Sequence, residues 1–111
     1  MDHGLKYAAV ENGSFDVTVV YATDGLNRKA KLKILEDDRG FFPDYNGAFL
    51  VRNDTFKTFR NEAPELEAVL DLLAGTISTE QMSELTYQVD VVGRSVDEVA
   101  LEFLQSMGLT A

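Results

Sequence analysis

The sequence predicts an α/β protein, and three observations carry that expectation. An amphipathic helix leads directly into a β-branched run, a second run alternates charged and apolar residues, and two serine capping boxes open a helical carboxyl-terminal part.

Leu5, Ala8 and Ala9 stand at i, i+3 and i+4, the spacing of one helix face, and Gly13 in "ENGS" supplies a stop. "FDVTVVYATDG" follows, with Phe15, Val17, Val19, Val20 and Tyr21 in a run closed by Thr-Asp-Gly, as expected of a strand covered on both faces. "KLKILEDD" alternates Lys31, Leu32, Lys33 and Ile34, which predicts a strand with one wet face near a sheet edge. "GAFLV" is a further short strand. Between these two lies "FFPDYNG", where Pro43 lacks a donor and Asn46-Gly47 readily turns, so irregular backbone is expected.

The remainder is expected to be helical. Asn53 or Asp54 can cap a short segment carrying Phe56 and Phe59. Leu66, Val69, Leu70 and Leu73 form the next apolar stripe, with Pro64 in the first turn and Gly75 as the stop. Ser78 with Gln81, and Ser95 with Glu98, open the last two helices. Their buried faces are expected to be Met82, Leu85 and Val89, then Val96, Val99, Ala100 and Phe103, with Gly108 ending the second. Residues 1–111 contain neither an internal repeat nor a dividing linker. The early strands bury little by themselves and the late helices need a sheet, which predicts a segment of something larger.

A chain of 111 residues fits one small domain, and 45% apolar with 26% charged residues is the ordinary globular balance. The net charge of -9 repels phosphate backbones and anionic lipid, so nucleic acid is not an expected partner. Without cysteine there is no disulfide, thiolate nucleophile or zinc-thiolate site, and the single His3 excludes a histidine-rich metal site within one chain. No run approaches the roughly 20 apolar residues of a membrane span, and no targeting segment is legible.

Candidate chemistry lies in three places. "VVYATDG" ends an apolar strand, and open α/β sheets bind ligands beyond strand ends; Tyr21, Thr23 and Asp24 are candidates there, although Tyr21 can equally cap the core above an Asx-type turn. In "FFPDYNG", Phe41 and Phe42 are expected in the core. Tyr45, between Asp44 and Asn46, holds an amphipathic ring at a surface, either as a cation-cage wall or as an exposed loop residue. Tyr87 reads first as a core or edge residue and joins a site only if it shares a cleft with the others. "EDDR", from Glu36, lacks the ligand alternation of a calcium loop and reads as a solvated acidic turn. No phosphate loop, nucleophile elbow or dinucleotide fingerprint is present, so no enzyme and no cofactor are expected.

Taken in order, "GLKYAAVENGSFDVTVVYATDG", "LKILEDDRGFFPDYNGAFLVR", "LAGTISTEQMSELTYQVDV" and "VDEVALEFLQSMGL" resemble the substrate-binding component of quaternary-amine ABC importers, the glycine betaine/carnitine/choline-binding family. The resemblance implies the carboxyl-terminal half of a two-lobed, type II periplasmic-binding-protein-like fold closing over its ligand. Residues 1–35 would complete the distal lobe, 36–52 the hinge crossing and 53–111 the helical part of the proximal lobe. By the same resemblance, Tyr21 and Tyr45 would wall a cage for a trimethylammonium group, with Thr23 and Asp24 as polar partners, Asn46 next and Tyr87 last. Ala22 stands where the family commonly has serine, and Asp44 where it commonly has a second proline.

The implied partners are a quaternary-ammonium ligand and an ABC permease, at an extracytoplasmic location as part of the parent protein. Half a binding domain leaves strand edges open, so a homodimer or swapped assembly is a further expectation. The competing reading is a small interaction or regulatory domain that keeps the scaffold without the cleft.

Overall fold

The computed structural model describes residues 3–110, with side chains from Gly4 onward; the side chain of His3 lies outside the described residues. Six helices occur among them: α1 (His3–Glu11), α2 (Leu26–Lys29), α3 (Thr55–Thr58), α4 (Leu66–Asp71), α5 (Thr79–Asp90) and α6 (Val96–Ser106). The chain divides into two compact units, residues 1–35 with 78–111, and residues 36–77.

Both serine caps form as complete boxes. Ser78 Oγ accepts from the Gln81 amide at 3.2 Å while the Ser78 amide donates to Gln81 Oε1 at 2.8 Å. Ser95 and Glu98 repeat the arrangement at 3.2 and 3.4 Å. Each box satisfies two amides that the first helical turn leaves without a carbonyl. At the other end of α6, Gly108 takes φ +69°, and the Leu109 amide donates back to the Leu104 carbonyl at 2.9 Å. That is the left-handed closure a residue without Cβ makes cheaply.

In the first unit, α5 packs on α6 and on α2. Val99 is buried, and Met82, Leu85, Val89 and Phe103 are half-buried, but Val96 and Ala100 are exposed, so the buried stripe of α6 is narrower than its spacing predicts. In α1 the prediction misses the buried face. Leu5 and Ala8 are exposed, and Tyr7 is the buried residue, because its hydroxyl finds polar partners that a leucine has no use for. α5 runs on through Asp90, so Tyr87 lies in its last turn.

The second unit holds α3 and α4. Asp54 stands at the N-cap of α3 without a side-chain cap bond, and Leu66, Leu70 and Leu73 are half-buried while Val69 is exposed. Pro64 precedes the N-cap residue Glu65 rather than sitting in the first turn of α4.

The three expected strands are the main correction. No residue among those described is in a strand, and within the first unit no backbone hydrogen bond joins "FDVTVVY" to "KLKIL". Exposure along the first run still alternates as a strand's does, with Val17, Val19 and Tyr21 exposed and Thr18 and Val20 half-buried. The side-chain period is encoded locally, whereas a ladder requires a neighbouring backbone that these residues do not provide one another. Phe41 and Phe42, expected in the core, are exposed and meet edge to face at 5.1 Å.

Gly25 marks the tightest approach in the first unit. Its φ of -62° suits any residue, but a Cβ there would fall 2.4 Å from the Tyr87 Cα and amide nitrogen on α5. Backbone cannot swing aside as a side-chain tip can. Gly25→Ala is therefore expected to destabilise the chain by about 1–3 kcal/mol, as overpacking does; thermal unfolding followed by circular dichroism checks it, and an unchanged midpoint would contradict the contact.

Candidate functional site

The turn after "FDVTVVY" is held from three sides within the first unit. From α1, the Tyr7 hydroxyl donates to Asp24 Oδ2 at 2.6 Å and lies 3.2 Å from Asn27 Oδ1. A phenol has one proton, so the shorter approach, to a carboxylate, takes most of it. From α2, Asn27 Nδ2 donates to the Tyr21 carbonyl at 2.7 Å, which fixes the amide orientation and turns Oδ1 toward Tyr7. The Asp24 amide donates to the same carbonyl at 3.1 Å. From α5, the Thr86 hydroxyl approaches three carbonyls, and the shortest contact, 2.6 Å, is to Thr23.

Burial separates the supporting groups from the presented one. Tyr7 and Asn27 are 4% and 5% exposed, whereas Tyr21 is 53% exposed. Burial pushes the Tyr7 phenol well above its ordinary range, and the hydrogen bond and charge of Asp24 push it the same way. It stays a protonated donor at neutral pH.

Tyr87 already carries a cation. The Arg28 guanidinium lies 4.4 Å from the centre of its ring and pairs with Glu84 at 2.7 Å. Gln88 and then Arg28 hold the Glu84 carboxyl below its ordinary range. Beside this group lies an open cleft of about 370 Å³ lined by Ala22, Arg28, Ile34, Thr79, Glu80 and Ser83. Of the turn, Ala22 reaches that lining; Tyr21, Thr23 and Asp24 do not.

Tyr45 and Asn46 belong to the second unit, and both are exposed. The acidic turn before them is shaped by Asp37, whose carboxylate accepts from the amides of Phe41 at 3.0 Å and Phe42 at 2.8 Å. Sequence reading singled out Tyr21, Thr23, Asp24 and Tyr87, but missed Tyr7, Asn27, Arg28 and Thr86. Tyr7 lies off the Leu5, Ala8 and Ala9 stripe of an amphipathic helix, so apolar spacing gave no sign of its burial. No group of histidine, cysteine and carboxylate side chains among the described residues could hold a metal, and no helix among them is long and apolar enough to cross a membrane.

The amides of Phe42, then Phe41, hold the Asp37 carboxyl below its ordinary range. A folded pKa depressed below the unfolded one means that the bonds are fully present above the ordinary carboxylate pKa and fail as pH falls through the lower, folded value. The Phe41 and Phe42 amide signals are expected to titrate together in that acid window, and Asp37→Asn to abolish the transition. A titration that survives the substitution would assign it to another group.

Comparison with known proteins places the chain. It is 36% identical over 109 residues to the ergothioneine transport permease/ergothioneine binding protein EgtU of Helicobacter pylori, covering 98% of this chain and 19% of that protein. It is 40% identical over 105 residues to the carnitine transport binding protein OpuCC of Listeria monocytogenes, covering 95% of this chain and 33% of the relative. A glycine-betaine-binding protein of Pseudomonas aeruginosa is 33% identical over 105 residues, 95% of this chain and 32% of the relative. The chain thus spans a third or less of the length of these relatives. The family model OpuAC, the substrate-binding domain of ABC-type glycine betaine transport systems, matches residues 1–106, and the chain belongs to that family.

Proposed function

We propose that this chain is part of the solute-binding component of an ABC importer for quaternary-ammonium compounds, working outside the cytoplasm and delivering its ligand to a membrane permease for osmoprotectant uptake. Family membership supports this reading. So does the chemistry common to the relatives' named ligands: ergothioneine, carnitine and glycine betaine each carry a trimethylammonium group and a carboxylate. The observation that carries it to residues is the braced turn, which leaves the Tyr21 ring half-exposed on a fixed backbone.

In this reading Tyr21 and Tyr45 are walls of a cation cage. A ring face offers a trimethylammonium group about 0.5–2 kcal/mol, more when water is excluded, so a cage needs several rings. Thr23 and Asp24 serve as polar and electrostatic partners, and Asn46 supplies a further polar group. Tyr87, whose ring Arg28 engages, is the last of the proposed ligand-binding residues. The remaining rings come from the part of the domain outside this chain.

The chain then forms part of a type II, two-lobed α/β fold in which residues 36–52 cross the hinge, while residues 1–35, which pack with 78–111 as one compact unit, share a lobe with them. The unpaired runs become strands once lobe partners supply their donors and acceptors. By itself the chain satisfies those edges through a homodimer or a swapped assembly.

Calorimetry on the isolated chain should find weak or no binding of choline, glycine betaine or carnitine; micromolar affinity in a monomer would remove the need for a second lobe. In a chimaera carrying this chain in place of the matching region of the Listeria carnitine-binding protein, Tyr21→Ala and Tyr45→Ala should each weaken carnitine binding tenfold or more. Undiminished binding by the double variant would favour a scaffold without ligand contact. Sedimentation of the isolated chain should reveal self-association, and a well-folded monomer at every concentration would count against it.

A further inference from the structure

The hydrogen bonds behind Tyr21 form a chain from one helix to one carbonyl. Tyr7 on α1 bonds Asp24 and approaches Asn27, and Asn27 in turn donates to the Tyr21 carbonyl. That carbonyl accepts a second bond from the Asp24 amide, so the peptide plane following Tyr21 is fixed by two donors. The two supporting side chains are among the most buried residues described. We propose that Tyr7 and Asn27 are positioning residues of the cation site: they set the backbone from which the Tyr21 ring projects and the direction of the Asp24 carboxylate.

The inference rests on the reading of Tyr21 as a cage wall and extends it to residues that touch no ligand. The physical reason is preorganisation. A ring that must be ordered when the cation arrives costs affinity, and one already fixed on its backbone does not. The Asp24 carboxylate gains likewise, because the short bond from Tyr7 selects its rotamer before any ligand is present. Thr86 braces the adjacent Thr23 carbonyl but leaves the Tyr21 carbonyl untouched, so it holds the turn without aiming the ring.

The test separates aiming from general stability. The chain has four tyrosines, at 7, 21, 45 and 87, so ring-labelled protein gives four resolvable signals. Tyr7→Phe keeps the buried ring and deletes the donor; Asn27→Asp is isosteric and sets an oxygen against the Tyr21 carbonyl. Both are expected to move the Tyr21 ring signal and the Ala22 to Asp24 amides while leaving the Tyr45 signal in place. Ser95→Ala, which removes a distant helix cap, should lower the melting midpoint without moving Tyr21. A stationary Tyr21 signal in both variants, or an equal shift in Ser95→Ala, would overturn the proposal.

Carnitine binding in the Listeria chimaera supplies the second readout. Tyr7→Phe and Asn27→Asp should weaken it at least fivefold, and Ser95→Ala should not. A chimaera that binds equally well with either substitution refutes positioning and leaves the cage standing. A folded chimaera that binds no carnitine at all refutes the cage, while the ring signals of the isolated chain still decide whether Tyr7 and Asn27 set Tyr21.

Discussion

The hydroxyl of Tyr7 is the group on which the first unit depends. Buried phenols need an acceptor, and this one finds a carboxylate at the start of a turn and an amide at its end. Through those two contacts α1 is tied to a loop that Thr86 also holds from α5, and Gly25 lies where this loop meets α5. Most apolar side chains of this unit are no more than half-buried, Val99 and Tyr7 being the buried hydrophobic residues among those described. A polar bond made in a dry place is therefore what gives the turn a defined shape. That shape decides which side chains can face a ligand.

Electrostatics repeats the theme on the other side of the turn. Arg28 is placed between Glu84 and the face of Tyr87, a charge pair and a ring contact sharing one guanidinium. Both ends of the ion pair are about half exposed, so the pair alone contributes little, and the contact with the Tyr87 ring adds to what localises the group. An aromatic ring is a general receptor for positive charge. The protein's own arginine uses Tyr87, whereas Tyr21 is presented by a backbone held from behind.

The unpaired apolar runs have the opposite status. Val17 and Val19 keep the two-residue rhythm of a strand and remain exposed, as do Ile34, Leu35, Phe49 and Leu50. Side-chain alternation is written into these residues, but a backbone ladder is a relation between two segments. The chain covers a third or less of the length of its relatives, and in the proposed function these surfaces receive the rest of a lobe or a second copy.

What the sequence determined by itself was local: the starts of α5 and α6, the stop of α6, the turn after Tyr21, the acidic turn before Phe41, and the order of motifs that placed the chain in its family. Caps and turns act within a few residues, so their signals survive in a linear reading. Tertiary structure decided the rest. It chose Tyr7 over Leu5 as the buried residue of α1, gave Tyr87 to Arg28, and left the strands without ladders, because each of these outcomes depends on a partner distant in the chain. Hydrophobic spacing specifies that a face wants company; which atoms supply it is settled only when the chain folds back on itself.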